Sequence, residues 1–256
     1  MAVFGEGMII CKSQAEVERL RRSGRMVRGL LEELRQRVQP GISTLELEKY
    51  IDKRIPQLGA RPAFKGHRGY PCCLCASVNS EVIHGIPSER PLKRGDILSL
   101  DLGVIVEGFY GDSAITVPVG EIPESTQRLL RVTQEALQLA IEKVRLGNRL
   151  GDVSATVQRH VEENGYSVVR EFVGHGIGRE LHEEPQVPNF GQPGHGPVLK
   201  QGMVLAIEPM VNEGGPGVRV LDDNWTAVTA DGTLSAHFEH MVAVTRNGPD
   251  VLTQTL

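Results

Sequence analysis

Residues 92–101 read LKRGDILSLD, and residues 199–208 read LKQGMVLAIE. Leu92, Lys93, Gly95, Leu98 and Asp101 recur as Leu199, Lys200, Gly202, Leu205 and Glu208, one pattern written twice at an offset of 107 residues. Each copy is a basic turn followed by a short apolar run that ends on an acid. Such runs, bounded by glycine turns, read as buried strands. The residues upstream of each copy correspond too. Ser13-Gln14-Ala15-Glu16 is a capping box, and Val17, Leu20, Val27, Leu31, Leu34 and Val38 lay an apolar stripe along a helix that Pro40-Gly41 ends. A second helix starts near Ser43-Thr44 and ends near Gly59. In the second half a long helix fits 124–146 and is stopped by Gly147, and Asp152 is placed to cap a shorter partner that runs to Gly165. Two units of paired helices followed by strands predict an α+β chain with mostly antiparallel sheet and helices packed on its outer side. The pseudo-repeat halves are about 13–120 and 124–246. No linker divides them, so 1–256 is expected to form a single catalytic domain, with a site drawing ligands from both halves.

Composition narrows the function. At 256 residues the chain can bury a sizeable core, and a net charge of −4 offers no broad basic surface for nucleic acid or anionic membrane. The Arg-rich stretch over 18–36 reads as a solvated helix face. Cys72, Cys73 and Cys75 are too tightly spaced for a zinc turn, and with Cys11 too few for a disulfide scaffold, so all four read as reduced thiols. Met8-Ile9-Ile10 is too short for a signal peptide, and no stretch approaches the roughly 20 apolar residues of a membrane span. Cytoplasmic localisation is the expectation.

The acids then stand out. SLDLGVIVEGFYGDSAITV, residues 99–117, reads as a β-hairpin turning near Glu107-Gly108. A turn at 107–108 pairs Gly103 with Asp112, and a turn at 106–107 pairs Asp101 with Asp112. Either register puts both aspartates on one face. Paired carboxylates among Leu100, Leu102, Ile105 and Ile115 repel unless a cation or proton lies between them. On the hairpin alone, a metal and a pair of solvated strand ends remain equally open. Glu208 closes the run MVLAI, and Glu239 sits ahead of MVAVT, so four such acids, two related by the repeat, favour the metal. His175 lies between glycines in FVGHGIG, which leave its imidazole unobstructed. His182 follows it, and His84 lies in EVIHGIP. HGI thus recurs in both halves at a different offset, which a Pro- and Gly-rich insertion around 183–198 accounts for. Four carboxylates and one imidazole suit two divalent ions roughly 3–4 Å apart. Ligation rich in oxygen and free of thiolate favours Mn, Fe or Co, with Zn also admissible. The chemistry implied is hydrolysis of an acyl or phosphoryl bond.

The ordered set HGIP (84–87), LDLG (100–103) with Gly111-Asp112, GHGIGRELHEEP (174–185), AIEPMV (206–211) and FEHMVAVT (238–245) resembles methionine aminopeptidases of type I over essentially the whole chain. The resemblance implies the duplicated pita-bread fold, with Asp101, Asp112, His175, Glu208 and Glu239 as ligands of two divalent metal ions. Glu208 would also act as general base toward a hydroxide bridging the two metals. His84 would contact the scissile amide nitrogen, and His182 the carbonyl oxygen as it gains charge. Tyr70, Cys75 and Trp225 match the methionine pocket. Leu181 and His67 stand where bacterial members usually carry an aromatic and often a tyrosine, so both would line the pocket and alter its width. The implied function is removal of the N-terminal methionine from nascent proteins and peptides with a small second residue. The implied partners are nascent polypeptide N-termini, with room for a ribosome contact, no membrane, and a monomeric chain. The spacing of 26 from His182 to Glu208 leaves no space for a type II insertion, and no N-terminal extension is expected. Two rivals remain. A prolidase-like aminopeptidase of the same fold would usually bring a large N-terminal domain, and a metal-free pita-bread binding protein would have lost ligands.

Overall fold

The computed structural model describes residues 8–254. Helix α1 (Gln14–Arg35) starts as expected: the Ser13 hydroxyl accepts the Glu16 N–H while the Glu16 carboxylate returns to Ser13. Ser43 and Glu46 repeat the device at α2 (Thr44–Gln57). Strands β1 (Arg61–Pro62), β2 (Leu74–Val78), β3 (Glu81–Ile83), β4 (Ile97–Val106) and β5 (Phe109–Pro118) complete the first half. The second half opens with α3 (Glu124–Glu142) and α4 (Leu150–Glu163). Strands β6 (Ser167–Val168), β7 (Gly174–Gly176), β8 (Glu183–Val187), β9 (Val204–Ile207) and β10 (Met210–Asn212) follow. The last are β11 (Val218–Val220), β12 (Ala227–Thr229), β13 (Ser235–His237), β14 (His240–Thr245) and β15 (Gly248–Val251).

Two expectations need correction. Helices α1 and α3 end at Arg35 and Glu142, before the Pro40-Gly41 and Gly147 breakers. Bonds of the 3-10 type, such as Arg37 N–H to Leu34 O and Val144 N–H to Ile141 O, unwind the last turn first. Asp152 does not hold the N-cap of α4, which is Arg149. It sits one turn inside, where its carboxylate accepts the Arg149 N–H at 2.7 Å and the Gly194 N–H at 2.7 Å.

All the sheet pairings are antiparallel among the described residues. The β4–β5 hairpin takes the register with Gly103 opposite Asp112 and Asp101 opposite Ala114. Its turn residues, Glu107 and Gly108, have φ of 50° and 79°, as a two-residue primed turn requires. Alternation along β4 sends Leu98, Leu100 and Leu102 into the core under the helices and leaves Asp101 on the opposite face. The same core takes Leu31, Leu34, Ile51 and Ile55 from the first helix pair, and Leu129, Leu137, Val153 and Val157 from the second. Burying each such side chain stabilises the fold by about 1.5–3 kcal/mol. In the second half the sheet order is β15-β14-β9-β7-β8. The halves are joined by the pairing of β3 with β12 and, beside the acids, by the Glu239 N–H donating to Ala114 O at 2.9 Å and the Ser113 hydroxyl donating to Glu239 O at 2.8 Å. The acids of both halves therefore converge on one side of the sheets.

Candidate metal centre and active site

Five side chains meet where the halves join. Asp101 and Asp112 come from the hairpin and His175 from β7, while Glu208 and Glu239 follow β9 and precede β14. All five are 8 % exposed or less. Donor atoms of Asp112, His175 and Glu239 lie within 4.8 Å of one another. His175 Nε2 is 3.8 Å from Asp112 Oδ2 and 3.6 Å from Glu208 Oε1. Its other nitrogen, Nδ1, lies 2.9 Å from Gly176 O. A carbonyl only accepts, so Nδ1 carries the proton and Nε2 turns a lone pair toward the carboxylates. Metal-ligating histidines are oriented in this way.

Lone pairs facing lone pairs make an unstable arrangement without a cation. Asp101 Oδ1, Asp112 Oδ1 and Glu239 Oε1 are buried without a hydrogen-bond partner among the described residues. Burial pushes the Asp101 and Glu208 carboxyls up to about 7, and it lifts Asp112 and Glu239 well above the usual range with help from neighbouring acids. No Lys or Arg pairs with any of them among the described residues. The oxygen-rich donor set, the ligand-ready imidazole and the orphaned oxygens fit divalent cations.

The centre forms the floor of a cavity of about 80 Å³. Every substrate-contact residue expected from the sequence lines it: His67, Tyr70, Cys75, His84, Leu181, His182 and Trp225. His84 holds the left-handed region with φ of 60°, a strained setting typical of functional sites. Burial pushes its pKa down to about 4, so it is a neutral imidazole at pH 7. The His182 ring lies 4.4 Å from His175 and 5.3 Å from His67 at the cavity mouth. Desolvation, then the neighbouring rings, holds its pKa well below the ordinary histidine value. The Tyr70 hydroxyl is 3.1 Å from both Leu74 O and Gly85 O, and its ring meets Trp225 edge-on at 5.1 Å. This fixes one apolar wall. Burial keeps the Cys75 thiol protonated.

Residues 18–246 match metallopeptidase family M24. The chain belongs to that family. It is 53% identical over 246 residues to the methionine aminopeptidase of Clostridium perfringens, a match covering 96% of this chain and 99% of that one. The crystal structure of methionine aminopeptidase from Thermotoga maritima superposes with a TM-score of 0.95 at 48% identity, covering 97% of this chain and 100% of that one. The prolidase of Pyrococcus furiosus shares the fold alone, with a TM-score of 0.79 at 24% identity over 66% of its own length. The architecture is thus the pita-bread α+β fold of M24, and within the family the chain stands with the bacterial methionine aminopeptidases. No helix among the described residues is long and apolar enough to cross a membrane.

Against this M24 frame, three site residues escaped the sequence reading. Phe64 and Ile83 line the cavity, but neither lies in a periodic stretch long enough to show which way it faces. His237 lies beneath Glu208, with its Nε2 3.5 Å from Oε2. The strand period of two before Glu239 was the available signal. Cys72 and Cys73 stay outside the cavity, and all four cysteines are free. Cys73 ties β2 to α2: its N–H donates to Glu48 Oε1 at 2.9 Å, and its thiol lies 3.1 Å from Asp52 Oδ1.

Proposed function

We propose that the chain is a methionyl aminopeptidase that removes the initiator methionine from nascent polypeptides and peptides with a small second residue. The observation that carries this reading is a buried cluster of four carboxylates and one ligand-ready imidazole, with no Lys or Arg paired to it among the described residues, at the floor of a cavity sized for one side chain. Asp101, Asp112, His175, Glu208 and Glu239 would hold two divalent ions, of Mn, Fe or Co with Zn also admissible. When bound, such ions polarise a carbonyl oxygen and lower the pKa of water.

The chain's own groups do the rest. Glu208 takes a proton from the attacking water and hands it to the amine nitrogen as the peptide bond breaks, and His175 keeps its Nε2 lone pair directed into the centre. His84 and His182, neutral at pH 7, offer N–H donors without bringing positive charge to the metals. In this reading His84 faces the scissile amide nitrogen, and His182 faces the carbonyl oxygen, where a fixed donor stabilises developing negative charge. Tyr70, Cys75, Leu181, Trp225 and the ring of Phe64 give the pocket an apolar lining suited to the unbranched methionine side chain. His67 narrows the mouth beside His182. The halves 13–120 and 124–246 act as one catalytic domain because the ligands come from both. A cytoplasmic monomer acting on emerging N-termini fits the acidic net charge and the lack of a membrane-spanning helix among the described residues.

The test uses metal-stripped protein with Met-Ala-Ser and Ala-Pro peptides and added Mn, Co, Fe or Zn. Release of methionine from Met-Ala-Ser is expected. No cleavage with any metal sinks the enzyme reading, and faster cleavage of the Ala-Pro peptide favours a prolidase-like activity.

A further inference from the structure

The segment Ser235-Ala236-His237-Phe238-Glu239 alternates, so Ala236 and Phe238 enter the core while His237 and Glu239 share the site face. His237 is 1 % exposed, and its Nε2 is buried without a hydrogen-bond partner among the described residues. An orphaned donor of this kind in a native core calls for an explanation. Its backbone is tightly held. The His237 N–H donates to Thr116 Oγ1 at 2.8 Å, the Thr116 hydroxyl donates back to His237 O at 2.8 Å, and Ser99 Oγ lies 2.8 Å from the same hydroxyl. β4, β5 and β13 are thereby locked together, and the imidazole is aimed at Glu208.

The Glu208 carboxylate sits between two rings. His175 Nε2 faces Oε1 at 3.6 Å, and His237 Nε2 faces Oε2 at 3.5 Å. His175 directs Nδ1 to Gly176 O and would give its Nε2 lone pair to the metal in the loaded centre, which leaves it no N–H for Glu208. Of these two rings, His237 is then the one that can offer Glu208 an N–H. We propose that His237 is a positioning residue whose Nε2–H holds Glu208 Oε2 and so sets the rotation of the carboxylate toward the metal centre. The gap is about 0.5 Å longer than a closed N–H···O bond, as is common for catalytic hydrogen bonds in ligand-free sites. The inference rests on the metalloaminopeptidase reading of the site.

The experiment compares wild type, His237→Leu and His237→Gln by Mn(II) calorimetry, thermal melting of the metal-free protein, and kcat and KM on Met-Ala-Ser. His237→Leu is expected to weaken Mn(II) binding by about 10–100-fold, the usual cost of losing a group that orients a ligand. It should lower kcat more than KM, while the metal-free melting temperature does not fall. His237→Gln, which still carries an N–H, should recover Mn(II) affinity to within about threefold. If His237→Leu does not fold, His237→Asn replaces it, since its shorter amide cannot reach Oε2. Unchanged Mn(II) affinity in the leucine (or asparagine) variant, or a glutamine variant as weak as it, overturns the inference. A wild type that takes up no Mn(II) overturns both the inference and the function it rests on. A wild type that binds Mn(II) without releasing methionine overturns only the function, and the affinity series then decides the role of His237.

Discussion

Replacing Gly174 by alanine probes how closely the fold must place His175. Gly174 lies in β7, between β8 and β9, and a Cβ there would stand 2.3 Å from Ala206 O and 3.2 Å from Val187 Cβ. The nearer atom is main chain in the neighbouring strand and cannot swing aside. Real Cβ contacts essentially never fall below 3.0 Å, so β7 and β9 must part by about 0.7 Å. Ala206 is the ladder partner of His175, which means the movement goes straight to the imidazole. A misplacement of about 1 Å costs roughly 100-fold in rate, so a loss of tens of fold in kcat/KM on Met-Ala-Ser is expected. Overpacking should also cost about 1–3 kcal/mol of stability. Gly29→Ala is the control: nothing lies within 4 Å of its added Cβ, and a helical alanine should stabilise α1 by about 0.5–1 kcal/mol with no change in kcat/KM. A Gly174→Ala enzyme within twofold of wild type would refute the claim that the sheet spacing sets the imidazole position.

Glu208→Gln should cut turnover at least about 100-fold, since it removes a proton acceptor that also ligates; near-normal kcat would refute that role. Glu239→Gln should stabilise the metal-free fold, and more so at pH 7.5 than at pH 5. Burial, then neighbouring acids, raises the Glu239 carboxyl well above its ordinary value, so over that range the fold holds a proton that the unfolded chain has released, and the contribution of this group to stability falls as pH rises. Taking the difference between variant and wild type cancels the buried histidines, such as His84 and His240 pushed down to about 4, whose contributions run the opposite way; a gain in the urea midpoint of stripped protein that shrinks as pH rises contradicts the assignment. Lys12→Met should cost about 3–5 kcal/mol by leaving Glu183 buried and unpaired. Lys12 Nζ is 2.6 Å from Glu183 Oε2, with the two side chains 4 % and 8 % exposed. Denaturation at wild-type stability would show that this ion pair does not anchor the loop preceding His182.

The sequence signals that worked were periodic. The 107-residue repeat located β4 and β9 because both carry the same buried run, and the hairpin register followed from one turn position. What the hairpin could not decide was whether its two acids were solvated or buried around a cation; that depended on β7, β9 and β14 arriving from far along the chain. Asp152 was misplaced because an acid serves a helix start equally well at the N-cap or one turn inside. The α4 boundary depends on Gly194, whose N–H takes the second Asp152 oxygen. Phe64 was invisible for a related reason. Its ring lies under Gly103, where an added Cβ would fall 2.5 Å from Cε1, so its place in the pocket is set by a residue 39 positions away.

The two equivalent acids have diverged in a way that bears on their work. Asp101 lies in the middle of the ten-residue strand β4, laddered to Cys75 on one side and Ala114 on the other. Its short side chain and doubly paired backbone fix where its carboxylate can point, as a ligand in the proposed centre requires. Glu208 comes after the four-residue strand β9 and before Pro209, which has no N–H to continue a ladder. Its carbonyl is held by Asn189 Nδ2 at 3.2 Å, yet its side chain has one more torsion and no hydrogen bond closed among the described residues. In the proposed mechanism Glu208 both ligates and carries a proton, which calls for that freedom and for something to limit it. Thr116, paired with Ser99 in the first half's hairpin, holds the main chain of His237 so that the imidazole faces Glu208. On the proposed role of His237, one copy of the duplicated motif thus helps to steer the acid of the other.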